Sequence, residues 1–526
     1  MKRRKFLYNA IPAVLAPTIV NGFEVSSAMP SPMLQALMNM ATETDHVLVI
    51  IQLNGGNDGL NMVIPRDSYS AYSAARLNIA IPENKILALA GNAKTGLHPS
   101  MTGLQSLYNE GNLAIIQSVG YPNPNFSHFR ATDIWMSASE SDQVINTGWT
   151  GRYLNEEYPN FPAGYPNSTM TDPLAIQIGS VTSFALQGPA FSMGMSITNP
   201  TSFYNLISGI QDPAPATQAG KELSYIRTVA QQTQQYASVI KTAANNVTQQ
   251  STYPSNNSLA DQLKIVARLV KGGLKTRVYM VSIGGFDTHS LQVVSTDTTT
   301  GVHANLMRTI SDAVKAFMDD CKSLGISQRV LGFTFSEFGR RIKSNSSVGT
   351  DHGAAAPMFI FGGRVKSGVL GMNPTIPQNV SGNDNIPLQY DFRSVYASLL
   401  QDWFCASSTT LQSVLLKNFQ VLPLVQAGAC TTGIDDLNRN AGETLIKNYP
   451  NPFTNSTTIS FSTQGGHTLV QVMDSQGRVV ANLIDQYYAP GKYTINFNGV
   501  NLPSGIYYLR LQNGPLQQVK SMLKVR

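Results

Sequence analysis

Four apolar segments that lack the alternation of a half-exposed strand place the strongest constraint on the fold of this 526-residue chain. Apolar runs rich in β-branched residues are typical of strands buried on both faces of a parallel sheet. The segments are VLVIIQL (47–53), NLAIIQSVG (112–120), RVYMVSIG (277–284) and RVLGFTF (329–335). They predict an α/β core.

A long amphipathic segment lies between the third and fourth of these strands. Residues 302–324 place apolar side chains at helical spacing, at Val302, Leu306, Ile310, Val314, Phe317, Cys321 and Leu324. A strand, a helix and a strand in this order form a βαβ unit, which is almost always right-handed. We therefore expect a mostly parallel sheet with helices on both faces.

Polar motifs directly follow three of the four strands. NGGNDGLN follows the first strand, GGFDTHS the third and SEFGRR the fourth. Open α/β sheets bind ligands beyond the carboxyl ends of their strands, so these motifs predict a site at that edge. The glycine-rich motif also fits a tight turn that needs positive φ, and the sequence leaves both interpretations open.

The same motifs contain side chains that bind divalent metals. Asp287 and His289 are two residues apart, so on an extended chain both side chains point the same way. Asp351 and His352 lie between two glycines, where a loop can bring them together. With Glu337 they form an oxygen and nitrogen ligand set without thiolate, which suits Zn, Mn, Fe or Ca without selecting one.

Several of these residues also have a purely structural interpretation. Glu337 can form an ion pair with Arg340 or Arg341, and the adjacent pair Asp351-His352 can simply close a turn. For Asp287, His289 and His352 together, a metal site is favoured over a coincidence of three such residues.

The start of the chain has the features of an export signal. MKRRKFLYNAIPAVLAPTIVNGF combines basic residues with an apolar stretch too short to span a bilayer, and small residues near Ala28 fit a cleavage site. Arg3-Arg4, followed by Phe6-Leu7, resembles the signal that the twin-arginine translocase reads. An ordinary secretory signal that happens to contain two arginines is the alternative. Residues 1–28 are therefore predicted to be removed.

The net charge of +6 partly reflects this signal. Removal of residues 1–28 takes away four basic residues and one acidic residue, which leaves about +3. No dense Lys/Arg cluster remains that would indicate nucleic-acid binding, and no later run is apolar and long enough for a membrane helix. Of the three cysteines, Cys405 and Cys430 can form a disulfide in an oxidising compartment.

The tail from about residue 445 has a different pattern. Short alternating segments such as TTISFSTQ, TLVQVMDSQG and GIYYLRLQNG are separated by turn residues, which predicts a small antiparallel sandwich. The motifs NYPNPFTNSTTISF, DSQGRVV, LPSGIYYLRL and KSMLKVR resemble the C-terminal sorting domain of the type IX secretion system. The resemblance implies that residues 445–526 direct the protein, via the periplasm, to secretion or to the cell surface through that machinery. Residues 431–444 form the predicted linker.

The region from about 45 to 430 carries motifs, in order, of a known family. LNGGNDGLNMVIP, GLHPSMTGLQSLYNEGNLAIIQSVGYPNPNFSHFRATDIW, GWTGRYL, FDTH, SEFGRR, GTDHGAAAPMFIFGGRVKSGVLG and DFRSVYASLL resemble the family called domain of unknown function 1501. That family is grouped with the alkaline phosphatase and sulfatase superfamily. The resemblance implies an alkaline phosphatase-like three-layer α/β sandwich with a mostly parallel sheet. The C-terminal all-β sandwich would follow it.

The superfamily resemblance also suggests catalytic residues. Enzymes of that superfamily use metals to activate a Ser, Thr or formylglycine nucleophile at a helix N-terminus. Ser127 in NPNFSHFRATDIW suits that position, with His128 and Arg130 beside it. A plain helix N-cap explains Ser127 equally well, and an anion bound at the helix end would use the same geometry.

Two positions depart from the superfamily pattern. The first strand ends in Asn54 where a metal-binding Asp is usual, which leaves Asp58 as a possible substitute. Where Asp-His is frequent after a later strand, this chain has Glu337-Phe338. One metal, or an altered pair, is therefore expected rather than a complete two-metal site.

Two functional hypotheses follow from the sequence. The first is a secreted or surface-attached metal-dependent hydrolase of phosphate or sulfate esters, acting on an anionic small molecule or glycan. The second is a catalytically degenerate surface protein that binds a sulfated glycan or another anion without turnover. The sequence does not name the substrate, the metal or the oligomeric state.

The export signal gives a first testable prediction. Replacing Arg3 and Arg4 together by Lys is expected to leave full-length precursor in the cytoplasm, because the twin-arginine translocase reads the arginine pair and not its charge alone. Cell fractionation and immunoblotting measure the precursor. The control Lys5→Arg keeps the pair and should export normally, and normal export of the double variant would rule out a twin-arginine signal.

Overall fold

The computed structural model describes residues 18–20, 23–25, 45–200, 236–430, 446–463, 466–489, 491–513 and 516–525. The predicted linker and most of the predicted export signal lie outside these residues. Within the signal, Thr18–Val20 and Phe23–Val25 pair as antiparallel strands. The predicted domain boundaries at residues 28, 45, 430 and 445 stay predictions.

A nine-stranded sheet forms the centre of residues 45–426 within the described chain. Its strands are β1 (Val47–Leu53), β2 (Leu113–Gly120), β3 (Ala175–Ile178), β4 (Met195–Ile197), β5 (Val278–Ile283), β6 (Val330–Phe335), β7 (Ala356–Gly362), β8 (Gly368–Leu370) and β9 (Tyr390–Asp391). Their order is β8-β2-β7-β6-β1-β5-β3-β4, with β9 also paired to β2.

Most neighbouring strands in this sheet are parallel. β1 pairs in parallel with both β5 and β6, whereas β7 pairs antiparallel with both β6 and β2. The four strands predicted from apolar runs are β1, β2, β5 and β6, and every residue of β1, β2 and β6 is buried. The structure confirms the predicted α/β class with its mostly parallel sheet.

The helices of the described core follow the same chain order. They are α1 (Gly59–Met62), α2 (Tyr69–Ala75), α3 (Thr102–Asn109), α4 (His128–Ser137), α5 (Trp149–Glu157), α6 (Ser258–Lys271), α7 (Val302–Ser323), α8 (Phe392–Ser398) and α9 (Ser408–Leu415). Residues 236–245 are also helical, and Leu399–Trp403 form a π-helical turn after α8. Short 3₁₀ turns occur at Arg66–Ser68, Glu83–Lys85, Phe184–Leu186 and Ser327–Arg329.

Helix α7 has the apolar face that its sequence predicts. Ile310, Val314, Phe317 and Cys321 are fully buried, in the same cluster as residues of α3 and α6. The first predicted position, Val302, is 48 % exposed, whereas the next two residues of the same turn, His303 and Ala304, are buried. The prediction therefore holds for the helix and for most of its buried face.

Helices cover both faces of the sheet. Val49 and Ile51 of β1 join the cluster that contains the buried residues of α6 and α7. The opposite face carries an aromatic layer, in which Trp135 of α4 stacks 5.5 Å from Phe335 of β6. Tyr396 of α8 lies 5.8 Å from Phe333 in the same layer. Alternate residues of each strand thus face different helices, as a three-layer arrangement requires.

Two small sheets flank the carboxyl edge of the main one. Val63–Pro65, Leu87–Leu89 and Asn92–Leu97 form a three-stranded antiparallel sheet. Arg340–Ser344 and Thr350–His352 form a two-stranded antiparallel ribbon. The ribbon positions the Asp351-His352 motif, which the sequence placed in a loop.

The C-terminal residues form two antiparallel sheets. One contains β10 (Ile446–Tyr449), β11 (Ser456–Thr463) and β14 (Gly491–Asn498). The other contains β12 (Gly466–Met473), β13 (Val479–Tyr488), β15 (Gly505–Asn513) and β16 (Leu516–Lys524). Phe461, Val472, Phe497 and Leu509 belong to one buried cluster that draws on both sheets, which confirms the predicted all-β sandwich.

Cysteine chemistry agrees with the sequence analysis. Cys405 and Cys430 are disulfide-bonded, and Cys321 is a buried free thiol. Burial raises the pKa of the Cys321 thiol well above its usual value, so this thiol stays protonated. Across the described helices, none combines the length and the apolar character that a bilayer crossing requires.

The separate buried clusters give a second prediction. Deleting residues 445–526 should leave a core that unfolds cooperatively at an unchanged melting temperature, because the all-β cluster and the α/β cluster are formed by different residues. Differential scanning calorimetry on the shortened and full chains measures both transitions. As a control, Leu509→Ala in the full chain should lower only the transition of the C-terminal sheets, and a lower core transition after the deletion would show that the two parts fold as one unit.

Candidate functional site

The site lies where the carboxyl ends of the parallel strands meet. The chain leaves β1 at Asn54, β5 at Gly284 and β6 at Ser336, and the loop after β2 leads into α4 at His128. This is the edge that the polar motifs predicted. The ribbon strand Thr350–His352 contributes the fifth segment.

The glycine-rich motif after β1 is a tight turn that also allows close packing. Gly55 has a φ of 123° and Gly56 a φ of 77°. A Cβ atom on Gly55 would lie 2.4 Å from the backbone nitrogen of Asp287, and one on Gly56 would lie 2.2 Å from the ring of Phe338. The turn interpretation is therefore confirmed at both glycines, and a side chain at either position would push the loops of the site apart.

Three histidines direct the same ring nitrogen towards one carboxylate. The Nε2 atoms of His289 and His352 lie 3.1 Å and 3.3 Å from Oδ1 of Asp287. The Nε2 atom of His128 lies 3.5 Å from its Oδ2. The Nε2 atoms of His289 and His352 are 2.9 Å apart. Four side chains from three separate segments of the chain thus converge.

The other nitrogen of each ring faces a hydrogen-bond acceptor. Nδ1 of His128 lies 2.8 Å from Oε1 of Glu337, and Nδ1 of His352 lies 2.8 Å from the Phe126 carbonyl oxygen. Nδ1 of His289 lies 3.3 Å from Oδ1 of Asp351. An acceptor at Nδ1 places the ring proton there and leaves an Nε2 lone pair, which is the arrangement typical of metal-binding histidines.

Glu337 is the most buried carboxylate beside the histidines, with a side chain that is 3 % exposed. Besides His128, its Oε1 accepts from the Gly55 backbone N–H at 2.8 Å, and the Ser336 hydroxyl donates to Oε2 at 3.2 Å. A carboxylate held in this way orients the His128 ring instead of facing the centre of the cluster.

Arg340 stabilises the carboxylate of Asp287, the group on which the three histidines converge. Its guanidinium is fully buried and donates to Oδ1 of Asp287 at 2.7 Å. Burial alone would raise the pKa of Asp287, but the hydrogen bond and the charge of Arg340 lower it overall, so this carboxylate stays ionised. The alternative ion pair between Glu337 and Arg340 is wrong, because Arg340 binds Asp287.

Asp351 and His352 contact His289 from two sides. They point apart, as adjacent residues on a strand do, so Asp351 reaches Nδ1 of His289 and His352 reaches its Nε2. The amide of Asn345 and His289 both lower the pKa of Asp351, which keeps an anion beside the ring. Burial lowers the pKa of His352, which favours the neutral imidazole that binds metals.

Ser127 lies at the N-cap of α4, immediately before His128. Its side chain is exposed and makes no capping hydrogen bond, while its backbone N–H donates to Oδ1 of Asn125 at 2.8 Å. The N-cap explanation for this serine thus lacks its expected hydrogen bond, and its exposed side chain directly precedes the candidate ligand His128 in the sequence.

Arg130 and Asp58 have structural contacts instead of contacts with the cluster. The Nη2 atom of Arg130 donates to the backbone carbonyls of Glu140, Ser141 and Gln143. Asp58 is completely buried and forms an ion pair with Arg76 at 2.6 Å. Burial alone would raise the pKa of Asp58, but Arg76 lowers it.

The spacing of the ligand atoms fits a metal ion. Metal–nitrogen bonds of about 2.0–2.1 Å around a tetrahedral centre place the ligand atoms about 3.3 Å apart. The contacts of Asp287 with the three histidines span 3.1 to 3.5 Å. His128, Asp287 and His352 form the group within the described residues whose ligand atoms are all mutually close enough to hold an ion. The Nε2 atom of His289 adds a third nitrogen, and a fourth candidate ligand, next to Asp287 and His352.

The sequence predicts most of this cluster, but the contacts of some residues differ from those expected. His128 was expected beside Ser127 as a catalytic residue, whereas the structure places its ring among the candidate ligand atoms. Arg340 and Arg341 were considered only as alternative ion-pair partners of Glu337, and the contact of Arg340 with Asp287 was not predicted. The signal for His128 was its place after a buried strand, the same position that identified Asp287 and His289.

Comparisons with solved structures find distant similarities. The chain is similar to the PsFucS1 sulfatase from Pseudoalteromonas sp., with 11 % identity, 90 % of this chain and 88 % of that one covered, and a TM-score of 0.31. It is also similar to a protein in the alkaline phosphatase superfamily from Vibrio parahaemolyticus, with 11 % identity, coverage of 100 % and 92 %, and a TM-score of 0.32.

A third similarity concerns a smaller part of the chain. The surface protein PorZ of the type IX secretion system of Porphyromonas gingivalis has 16 % identity and a TM-score of 0.13, with 20 % of this chain and 14 % of that one covered. No curated protein matches this chain.

Two family descriptions match the sequence. Residues 447–525 match the secretion system C-terminal sorting domain, which indicates secretion or attachment at the cell surface and implies the type IX machinery as a partner. The second match covers residues 45–405, more than half of the chain. The chain therefore belongs to the family described as protein of unknown function DUF1501.

Proposed function

We propose that this protein is a secreted or surface-attached metal-dependent hydrolase that acts on phosphate or sulfate esters. The observation that supports the proposal most is the convergence of three Nε2 atoms on the Asp287 carboxylate, each ring being held at Nδ1 by an acceptor. His128, Asp287, His289 and His352 would hold the ion, and Glu337 and Asp351 would orient two of the rings.

The donor set narrows the identity of the metal. Ca²⁺ prefers oxygen ligands, whereas three imidazoles with one carboxylate suit Zn²⁺, Mn²⁺ or Fe²⁺. Asp58 is bound by Arg76 and offers no additional ligand, which favours a single ion at this cluster. When bound, such an ion supplies Lewis-acid stabilisation to the negative charge of a phosphoryl or sulfuryl group.

Ser127 is the proposed nucleophile. Its hydroxyl is exposed, makes no capping bond and directly precedes His128. Its position at the start of α4 also places an anionic ester near the N-terminal backbone amides of a ten-residue helix. Arg340 keeps Asp287 ionised, and Glu337 fixes the His128 ring, so the charges of the site are set before substrate binds.

The proposal includes export as a folded protein through the twin-arginine translocase, since that route carries proteins that have acquired their metal in the cytoplasm. The substrate class is an anionic small-molecule or glycan ester. Elemental analysis of the mature protein, combined with a panel of phosphate and sulfate esters, tests the whole proposal. Stoichiometric metal with no turnover of any ester would favour the alternative function, a surface protein that binds an anion.

The metal site gives a third prediction. His289→Ala and His352→Ala should each weaken Zn²⁺ binding by more than about a hundredfold, beyond the usual effect of losing an outer-shell partner, because a ligand itself is removed. Chelator competition measures the dissociation constant. The control His46→Ala removes a buried histidine that stacks on Trp403, so it should lower the melting temperature and leave metal affinity unchanged. Wild-type affinity in both site variants would refute the metal site.

The nucleophile gives a fourth prediction. Ser127→Ala should keep metal content and melting temperature, because the side chain makes no capping bond, while turnover falls by about a thousandfold or more. The matched control is Ser407→Ala, since the Ser407 side chain caps α9 by accepting from the Thr410 N–H. That variant should lose about 1 kcal/mol of stability and retain turnover. Unchanged turnover in Ser127→Ala would exclude it as nucleophile.

A further inference from the structure

We propose that Gln292 is a positioning residue. The oxygen of its side-chain amide fixes residues 287–289, which carry Asp287 and His289, relative to residues 350–352, which carry His352. This inference rests on the proposed function, since it concerns the ligands of the same metal. The Gln292 side chain lies beneath the cluster and is completely buried.

The contacts of Gln292 use both ends of its amide. Its Oε1 accepts one hydrogen bond from the Thr288 hydroxyl and one from the Thr350 hydroxyl, each at 3.0 Å. Its Nε2 donates to Oδ2 of Asp58 at 2.5 Å. Because an amide oxygen has two lone pairs, both acceptor positions are occupied.

Each threonine lies directly beside the ligands. Thr288 separates Asp287 from His289, and Thr350 precedes Asp351 and His352. Both threonine side chains are buried. At Thr288 the two neighbours, Asp287 and His289, face the cluster, as the alternation of an extended chain requires. The amide oxygen of Gln292 therefore binds the segment that carries Asp287 and His289 and the segment that carries Asp351 and His352.

The ion pair of Asp58 and Arg76 fixes the orientation of this amide. Both oxygens of Asp58 accept from Nη1 of Arg76, at 2.7 and 2.6 Å. Arg76 is itself held by the carbonyls of Ile342 and Arg341, at 2.8 and 2.7 Å. An ionised carboxylate only accepts hydrogen bonds, so the NH₂ group of Gln292 must face Asp58 and its oxygen must face the threonines.

Asp58 therefore gains a role different from the one that the sequence suggested. Asp58 binds Arg76 and Gln292, and Gln292 in turn binds the threonines that lie next to the candidate ligands. The backbone also joins the two segments, since the Thr350 N–H donates to the Thr288 carbonyl at 3.1 Å. The Leu291 and Gln292 N–H groups also donate to the Ser347 and Val348 carbonyls, at 3.0 and 2.8 Å. The Gln292 amide adds side-chain contacts to this backbone pairing, at the threonines that lie next to the ligand residues.

The test removes the threonine hydroxyls from the full-length protein without changing side-chain shape. Thr288→Val and Thr350→Val should each weaken Zn²⁺ binding about 10- to 100-fold, the range for outer-shell partners of metal ligands. They should also change the visible absorption bands of the Co²⁺-loaded protein, because these bands report ligand geometry. Thr288→Ser and Thr350→Ser keep the hydroxyl and should restore both wild-type affinity and the Co²⁺ spectrum.

The matched control is Thr276→Val. The hydroxyl of Thr276 is also buried and donates to the Pro173 carbonyl at 2.7 Å, but it precedes β5, at the opposite end of that strand from the site. This variant should lose stability with an unchanged Zn²⁺ dissociation constant and Co²⁺ spectrum. If a valine variant does not fold, the corresponding alanine and serine variants are compared instead.

The outcomes separate this inference from the proposed function. Wild-type metal affinity and spectrum in Thr288→Val and Thr350→Val, with only the melting temperature reduced as in the control, would overturn the positioning role and leave the metal site intact. A wild-type protein that binds neither Zn²⁺ nor Co²⁺ would overturn both. Loss of affinity in the valine variants without recovery in the serine variants would also count against Gln292, because the hydroxyl would not be the cause.

Discussion

The guanidinium of Arg340 is fully buried and contacts three segments of the site, the loops after β1 and β5 and the ribbon strand that carries His352. It donates to the carbonyls of Gly55 and Gly56 after β1, to the Phe286 carbonyl and Asp287 carboxylate after β5, and to the Thr350 carbonyl. A buried charge is stable only when it is paired and its donors are satisfied, so these loops must meet around it. The positions of the candidate ligands that these loops carry follow from that requirement.

Two buried cations therefore support the candidate metal site, each with a distinct partner. Arg340 neutralises Asp287, whose carboxylate is 47 % exposed and faces the three imidazoles. Arg76 neutralises Asp58, which is wholly buried and never reaches the surface of the cluster. The histidines are held from the outside, by Glu337 at one ring and Asp351 at another. These contacts within the protein orient the candidate ligand atoms, as a metal ion with a preferred coordination geometry requires.

Local sequence patterns predict those parts of the site in which spacing along the chain fixes the direction of a side chain. Asp287 and His289 converge because the chain alternates through Thr288, which is the reason for which they were paired from their spacing. Asp58 and Arg130 show where such reasoning ends. Both lie within polar motifs next to strand ends, yet Asp58 turns inward to Arg76 and Arg130 turns to backbone carbonyls. Partners that are distant in sequence select these directions, and no local pattern contains them.

The sequence by itself determined the α/β class, the C-terminal all-β sandwich and the edge of the sheet on which the polar motifs meet. Uniformly apolar strands must be covered on both faces, and parallel strands end at the same edge, so these features follow from local composition and order. Only the tertiary structure decided which side chains face the candidate metal site and which face the core. His128 joined the candidate ligand atoms, Glu337 became its support, and Gln292 linked two segments. The deciding contacts join residues far apart in sequence, with 209 positions between His128 and Glu337 and 58 between Gln292 and Thr350. Their geometry depends on how the sheet edge closes around buried charges, and spacing along the chain does not encode it.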